Sequence, residues 1–456
     1  MEKKGNEAVM AVDEILPRQQ MIILALQHVL AMCAGAVAVP LIVGGALGLS
    51  SEETIFLINA DLFVAGIATL IQSLGIKTFI GARVPIVEGT SFAFVSAMVA
   101  IANSYPGDTI TGITTIFGAT FASGVFCFFM APFFSKLIRF FPKVVTGTVI
   151  TIIGLSLLPV GIRWSAGNDV RSPNFASQAN IMLAIFVLIL IVIMSKYLKG
   201  ILGNISILLG IVIGTVIASF LNMTDFSRVH EASWFSINTP LHFGMIKFDL
   251  TAIISLILVT LVAMTEATGN MIAIHQIVGK PIDHKNLTRG LRTDGFASML
   301  AAFFNTFPHT AFGQNVGLVN LTGVKSRFVV ACSGAILILL GLFPKAGAIV
   351  ASIPYPVLGG AGFAMFGMVV SGGINTLGSV QFNGTKNGMI VAISIGLSLI
   401  PLAVPSFYQA FPQWVQTLFH SGITTGSIAA ILLNLFFNEL GKSKIKVEEK
   451  IANNTI

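Results

Sequence analysis

Gly313–Arg327 reads GQNVGLVNLTGVKSR: two side-chain amides, Gln314 and Asn315, then a chain broken by Gly317 and Gly323. Its neighbours on both sides are apolar enough to lie in lipid, so polar side chains and interrupted backbone need a reason to be there. Irregular backbone at membrane depth is tolerated only where it is buried in protein or lines a cavity. Val84–Phe94, VPIVEGTSFAF, has the same character earlier in the chain. Neither stretch can cross a bilayer as one intact helix, which needs about 20 apolar residues.

The bulk composition sets the class. Hydrophobic residues make up 55% of the chain and charged residues only 10%, with a mean hydropathy of +0.89. Soluble domains run near about 25% charged, so this is a polytopic, all-α membrane protein. Fourteen membrane segments are expected, from 21–45 to 422–439, with the third (85–101) and tenth (314–322) short and polar at their starts. No apolar leader with a cleavage site precedes the first of them.

The net charge of +7 is not a nucleic-acid footprint, because the basic residues sit in short loops. Lys77, Arg83, Lys136, Arg139, Lys196, Lys199, Lys280, Arg289 and Arg292 fall on one side, placing both termini in the cytoplasm. Arg163, Arg171 and Arg228 dissent, in longer outside loops. The stretches 133–143 and 405–420 read as interfacial and aromatic-anchored. Cys33, Cys127 and Cys332 show neither pairing nor metal spacing and read as core filler.

A faint internal repeat is present. LAMCAG (30–35) resembles VAMTEA (262–267), and DLFVAGIATLIQSLG (61–75) resembles DGFASMLAAFFNTFP (294–308), at shifts of 232 and 233. Seven segments separate the copies, and an odd number inverts the second in the membrane. Inverted repeats with paired interrupted segments point to a transporter whose site lies at the midplane.

Ionisable residues inside the spans narrow the site. A carboxylate at mid-bilayer costs about 2.5–3.5 kcal/mol on insertion scales. Glu266, in MTEATGN, is the leading candidate. Asp294 either contributes to function, caps the ninth segment or pairs with Arg292; Asp61 is its repeat mate. Glu88 caps a broken segment or touches a ligand, and His28 makes a structural bond or relays protons. Phe92 is core, or stacks on a flat ligand. Two half-helix N-termini meeting near the midplane, with Gln314 donating and accepting and Glu266 accepting, suit the edge of a flat heterocycle.

QNVGLVNLTG, Gln314–Gly323, fits the signature of the nucleobase–ascorbate transporter family, Gln/Glu/Pro-Asn-x-Gly-x-x-x-x-Thr before Gly, Lys or Arg. LQHVLAM, TEATGN, RGLRTDG, FPHTAFGQNVGL and VLGGAGFAMFGMV resemble the family in the right order. The resemblance implies a fourteen-helix, seven-plus-seven inverted repeat. Its core domain would be 21–132 and 248–342, its gate domain 133–221 and 343–440, with cytoplasmic tails at 1–20 and 441–456 and dimerisation through the gate.

It also implies substrate contacts from Glu266, Gln314, Asn315, Ser91, Phe92 and Gly317, and proton coupling through Asp294, Glu266 and His28. Glu88, Asp61, Asn270 and Thr322 are secondary candidates. Some relatives carry aspartate where this chain has Asn270, so an acid-dependent role there is not carried over. The glutamine form of the motif is similar to that of xanthine and uric acid permeases.

The expected activity is therefore uptake of xanthine or urate with protons, and less readily with Na⁺, by an elevator movement in the cell's inner or plasma membrane, with no cofactor. Alternatives are another nucleobase (hypoxanthine, guanine, uracil) or an anion exchanger of the same fold. A membrane enzyme or channel fits least, since no metal spacing or nucleophile–base motif is present.

Overall fold

The computed structural model describes residues 11–134, 141–412, 415–416 and 419–440, except the side chains of Ala34, Ile201, Asn204, Arg228, Gln314 and Leu321. Most of the stretch expected to be interfacial at 133–143, part of that at 405–420 and the tail 441–456 thus lie outside the described residues.

The first half of the chain forms α1 (Arg18–Leu47), α2 (Ser51–Leu74), β1 (Glu88–Thr90), α3 (Val95–Asn103), α4 (Thr109–Met130), α5 (Lys143–Ser165), α6 (Gln178–Tyr197) and α7 (Ser206–Phe220). The second half follows the same order: α8 (Leu250–Val278), α9 (His284–Phe303), β2 (His309–Ala311), α10 (Gly313–Thr322), α11 (Arg327–Gly341), α12 (Tyr355–Gly378), α13 (Asn387–Ala403) and α14 (Gly422–Asn434). Seven of these helices are long and apolar enough to span on their own. α11 bends by 81° into a short helix, Pro344–Ala351. The helix starts are locally encoded: Ser50 and Glu53 form a capping box on α2, while Asp108, Ser177, Asp249 and Asp283 cap α4, α6, α8 and α9.

The inverted repeat is visible in the packing. α2 packs on α11 as α9 packs on α4, and α1 packs on α11 as α8 packs on α4. α13 packs on α5 as α6 packs on α12, and α5 and α12 lie against each other. Helices α1–α4 and α8–α11 thus form one packed group, and α5–α7 and α12–α14 another.

Glycines permit the closest crossings. A Cβ on Gly66 of α2 would meet Gly334 O of α11 at 2.5 Å, and one on Gly124 of α4 would meet Gly295 O of α9 at 2.8 Å. Backbones approach there because neither glycine carries a side chain.

α3 and α10 are half-spans. At 1.5 Å per residue, their 9 and 10 residues cover roughly half of the hydrocarbon core. The extended residues before them pair antiparallel, Glu88 with Ala311, Gly89 with Thr310 and Thr90 with His309. This ribbon joins the two repeats and satisfies backbone groups that lipid could not. Asp61 of α2 secures it: its Oδ1 accepts from Thr90 Oγ1 and, at 2.6 Å, from Thr306 Oγ1. His309 Nε2 lies 3.7 Å from the same oxygen.

Two outcomes follow for stability in detergent. Gly66→Val should lower the melting temperature, with an overpacking cost of about 1–3 kcal/mol, whereas Gly45→Ala, with nothing within 4 Å of its added Cβ, should leave it unchanged. Asp61→Ala should cost about 1–3 kcal/mol for each threonine hydroxyl left without an acceptor, and Asp61→Asn less. Equal melting curves for Asp61→Ala and wild type would contradict the hub.

Candidate functional site

The pocket beside the ribbon is built from both packed groups. Ser91, Phe92 and Ala93 follow β1; Thr310 and Ala311 belong to β2; Phe312 and Gly313 open α10; and Glu266 projects from α8. Ile150 and Ile153 of α5 and Val369 of α12 close the other side. The cavity is about 50 Å³, far below the roughly 300–1,000 Å³ of typical ligand sites. A bicyclic ligand therefore requires the walls to part.

The two half-helices present different ends to this space. Ser91 Oγ accepts from Ala93 N at 3.2 Å, capping the turn that leads into α3. Phe312 at the start of α10 makes no side-chain cap, so that N-terminus keeps its positive dipole end for a ligand. Gly35 of α1 lets the Phe312 ring in, since a Cβ there would meet the ring at 2.8 Å. Phe92 stands edge-on to Phe366, centroids 5.7 Å apart.

Asn315 faces away from the pocket. Its Nδ2 donates to His28 O at 3.2 Å and lies 3.0 Å from His28 Nδ1. His28 thus makes the structural bond weighed in the sequence, and the pair fixes α10 against α1. Gln314 opens α10 directly after the pocket-lining Gly313, but its side chain lies outside the described residues. Asn270 Nδ2 donates to Ala311 O at 3.0 Å, holding β2 to α8. Gly317 is exposed, and Thr322 bonds Leu318 O at the far end of α10. Neither of these two lines the pocket.

Behind the ribbon lies a buried acidic cluster. Asp294 is in the middle of α9, so it does not cap that helix; Asp283 does. Nor does it pair with Arg292, whose guanidinium sits 4.2 Å from the Phe79 ring centre. Asp294 instead lies near enough to Glu88 for the two carboxyls to affect each other electrostatically. Glu88 Oε1 accepts from Gln72 Nε2 at 2.8 Å, so Glu88 is a strand residue with a side-chain partner and not a helix cap. Glu88 Oε2 and both Asp294 oxygens have no hydrogen-bond partner.

A void of about 10 Å³ beside Asp294 is lined by Cys127, Ser298 and His309, at the lower limit for one water. Thr310 lines both this void and the pocket. Acids and pocket therefore share a wall.

Several contributors gave no sequence signal. Ile150, Ile153 and Val369 are apolar residues in apolar helices, indistinguishable there from lipid-facing ones. Gln72 and His309 gain their meaning only from partners distant in the chain.

Residues 19–407 match the family model described as the Permease family. The chain is 44% identical to the uric acid transporter UacT of Escherichia coli (strain K12), over 97% of this chain and 91% of that one. It is 42% identical to a xanthine permease of Bacillus subtilis (strain 168), over 94% and 95%. Among solved structures it is similar in fold to the transmembrane domain of a cyanobacterium bicarbonate transporter, BicA, with a TM-score of 0.65 at 15% identity, covering 92% of this chain and 99% of that one. Murine Slc26a9, an anion transporter in the inward-facing state, matches with a TM-score of 0.61 at 13% identity, covering 93% and 69%. Signature motif, broken paired segments, family match and relatives agree: the chain is a multi-pass membrane permease, not an enzyme, and belongs to the nucleobase–ascorbate transporter family.

Proposed function

We propose that the protein imports oxidised purines, xanthine or urate, together with protons. The observation that carries this reading is the placement of Glu266 in a cavity walled on one side by both half-helix starts and on the other by α5 and α12. Ring N–H groups of an oxopurine would donate to Glu266, its carbonyl edge would face Gln314 and the α10 N-terminus, and Phe92 would cover one face. The names of the close relatives support the same substrate class. An anion exchanger fits less well, because a carboxylate in the pocket repels its cargo.

Helices α1–α4 and α8–α11 would serve as the moving core, and α5–α7 and α12–α14 as a stationary gate that dimerises. Both termini would lie in the cytoplasm, in the inner or plasma membrane. A cavity formed between two bodies changes its access when one slides past the other. Proton coupling would come from the acids behind the ribbon: two neighbouring carboxyls that share a single amide donor, Gln72 on Glu88, are costly to bury while both are charged. One proton between Glu88 and Asp294 relieves that cost and lets the loaded core move. No cofactor is required.

Labelled xanthine and urate should accumulate in purine-transport-deficient cells expressing the protein, and a protonophore should abolish the accumulation; hypoxanthine and uracil serve as competing substrates. Glu266→Gln should lose concentrative uptake, and full accumulation by this variant would refute its role. Asp294→Asn should lose gradient-driven accumulation while retaining exchange of internal for external purine. Retained accumulation would move the coupling site elsewhere.

A further inference from the structure

A second cavity, far larger than the pocket beside Glu266, combines polar and apolar walls. A vestibule of about 780 Å³ opens between α3, α5, the end of α13 and the segment before α14, lined among others by Ser96, Asn103, Ser156, Arg163, Gln416 and His420. Its size falls within the roughly 300–1,000 Å³ of ligand sites. It stands in line with the inner pocket along two shared helices. On α5, Ile150 and Ile153 face the pocket while Ser156, Val160 and Arg163 face the vestibule. On the α3 side, Ser91 to Ala93 line the former and Ser96, Val99 and Asn103 the latter.

With a 1.5 Å rise per residue, Arg163 lies about 15 Å along α5 from Ile153. Two contacts span the intervening level: Ser96 Oγ donates to Ser421 Oγ at 3.3 Å, and Phe92 meets Phe366.

The charge of the vestibule is one-sided. Arg163 supplies its charge, burial holds the lining His420 toward its neutral form, and no carboxylate lines it among the described residues. Arg163 Nε donates to Asn168 O at 2.9 Å, which holds the guanidinium, and neither salt bridge of the described residues involves it. Arg163 is also one of the basic residues that break the charge bias of the loops, so membrane topology does not explain it. A cleft of one charge sign with low-dielectric walls concentrates ligands of the opposite sign.

We propose that this vestibule is an outer binding station that captures the purine as an anion, a delocalised urate-type oxopurine, with Arg163 as its principal contact. The assignment rests on purine transport being the activity. It also gives the carboxylate deeper in a purpose: an anion arriving beside Glu266 is repelled unless a proton comes with it, so capture by charge and release into the pocket are separate steps.

The test is initial-rate uptake of urate and xanthine in mildly acidic buffer, where urate is ionised and xanthine neutral, with membrane levels of each variant measured in parallel. Arg163→Gln should raise the KM for urate about 3- to 10-fold with Vmax unchanged and leave the KM for xanthine within about twofold. Arg163→Lys should restore most of the loss. Added salt should raise the wild-type urate KM and have little effect on Arg163→Gln.

An unchanged urate KM in Arg163→Gln, or equal shifts for both purines, overturns the station while leaving purine transport standing. Uptake of neither purine by the wild type overturns the transport reading and the vestibule's ligand together.

Discussion

Hydrogen-bond satisfaction in a medium that supplies no partners is the constraint from which this architecture follows. Two spans are interrupted, and every backbone group freed by the interruption must find an internal partner. The chain meets the demand by pairing the two interruptions with each other: β1 and β2 form one short antiparallel ribbon. Such pairing requires the second copy of the repeat to run opposite to the first. Side chains then secure the ribbon from behind, Asp61 through the two threonines and Glu88 through Gln72. In front of it the half-helix starts are left facing a cavity.

The same layout explains why the charged residues are where they are. Asp61, Glu88 and Asp294 are almost fully buried, yet they cluster around the one place where polar backbone already enters the membrane. Clustering limits the desolvated volume to a single region and lets one carboxylate oxygen, Asp61 Oδ1, accept from two hydroxyls. Glu266 stands apart from that cluster, on the pocket side of the ribbon, with Thr310 as the shared partition. In the proposed reading the buried cluster would hold the proton and Glu266 would meet the ligand on the other side of that partition.

Much of this was legible in the chain. Composition and run length gave the class; Gly313, Gly317 and Gly323 beside amides marked the second interruption, and Glu88–Gly89 the first. The odd number of segments between weakly similar stretches gave the inversion. What could not be read were pairings between residues far apart. Asp294 reads as the start of its segment because RGLRT reads as a loop, yet α9 begins at His284: polar and charged residues extend a helix as readily as they end it when its other face packs, as Leu291 and Thr293 do here. Glu88 looked like a cap because a carboxylate before a broken helix usually is one, while its partner Gln72 sat in a span that showed only apolar periodicity. The gate-side wall, Ile150, Ile153 and Val369, carries no local mark, since an isoleucine facing a cavity and one facing lipid are spelled alike.

The ribbon also governs what a passenger would feel in transit. Because the starts of α3 and α10 are tied through the same few hydrogen bonds, they would keep their separation and orientation in the movement proposed above. If the core moves as proposed, the positive potential of the uncapped α10 start would be carried together with the α3 start, like a charged fitting bolted to a moving part. A molecule held there would keep its electrostatic surroundings throughout the journey, and only the opposite, apolar wall would change beside it.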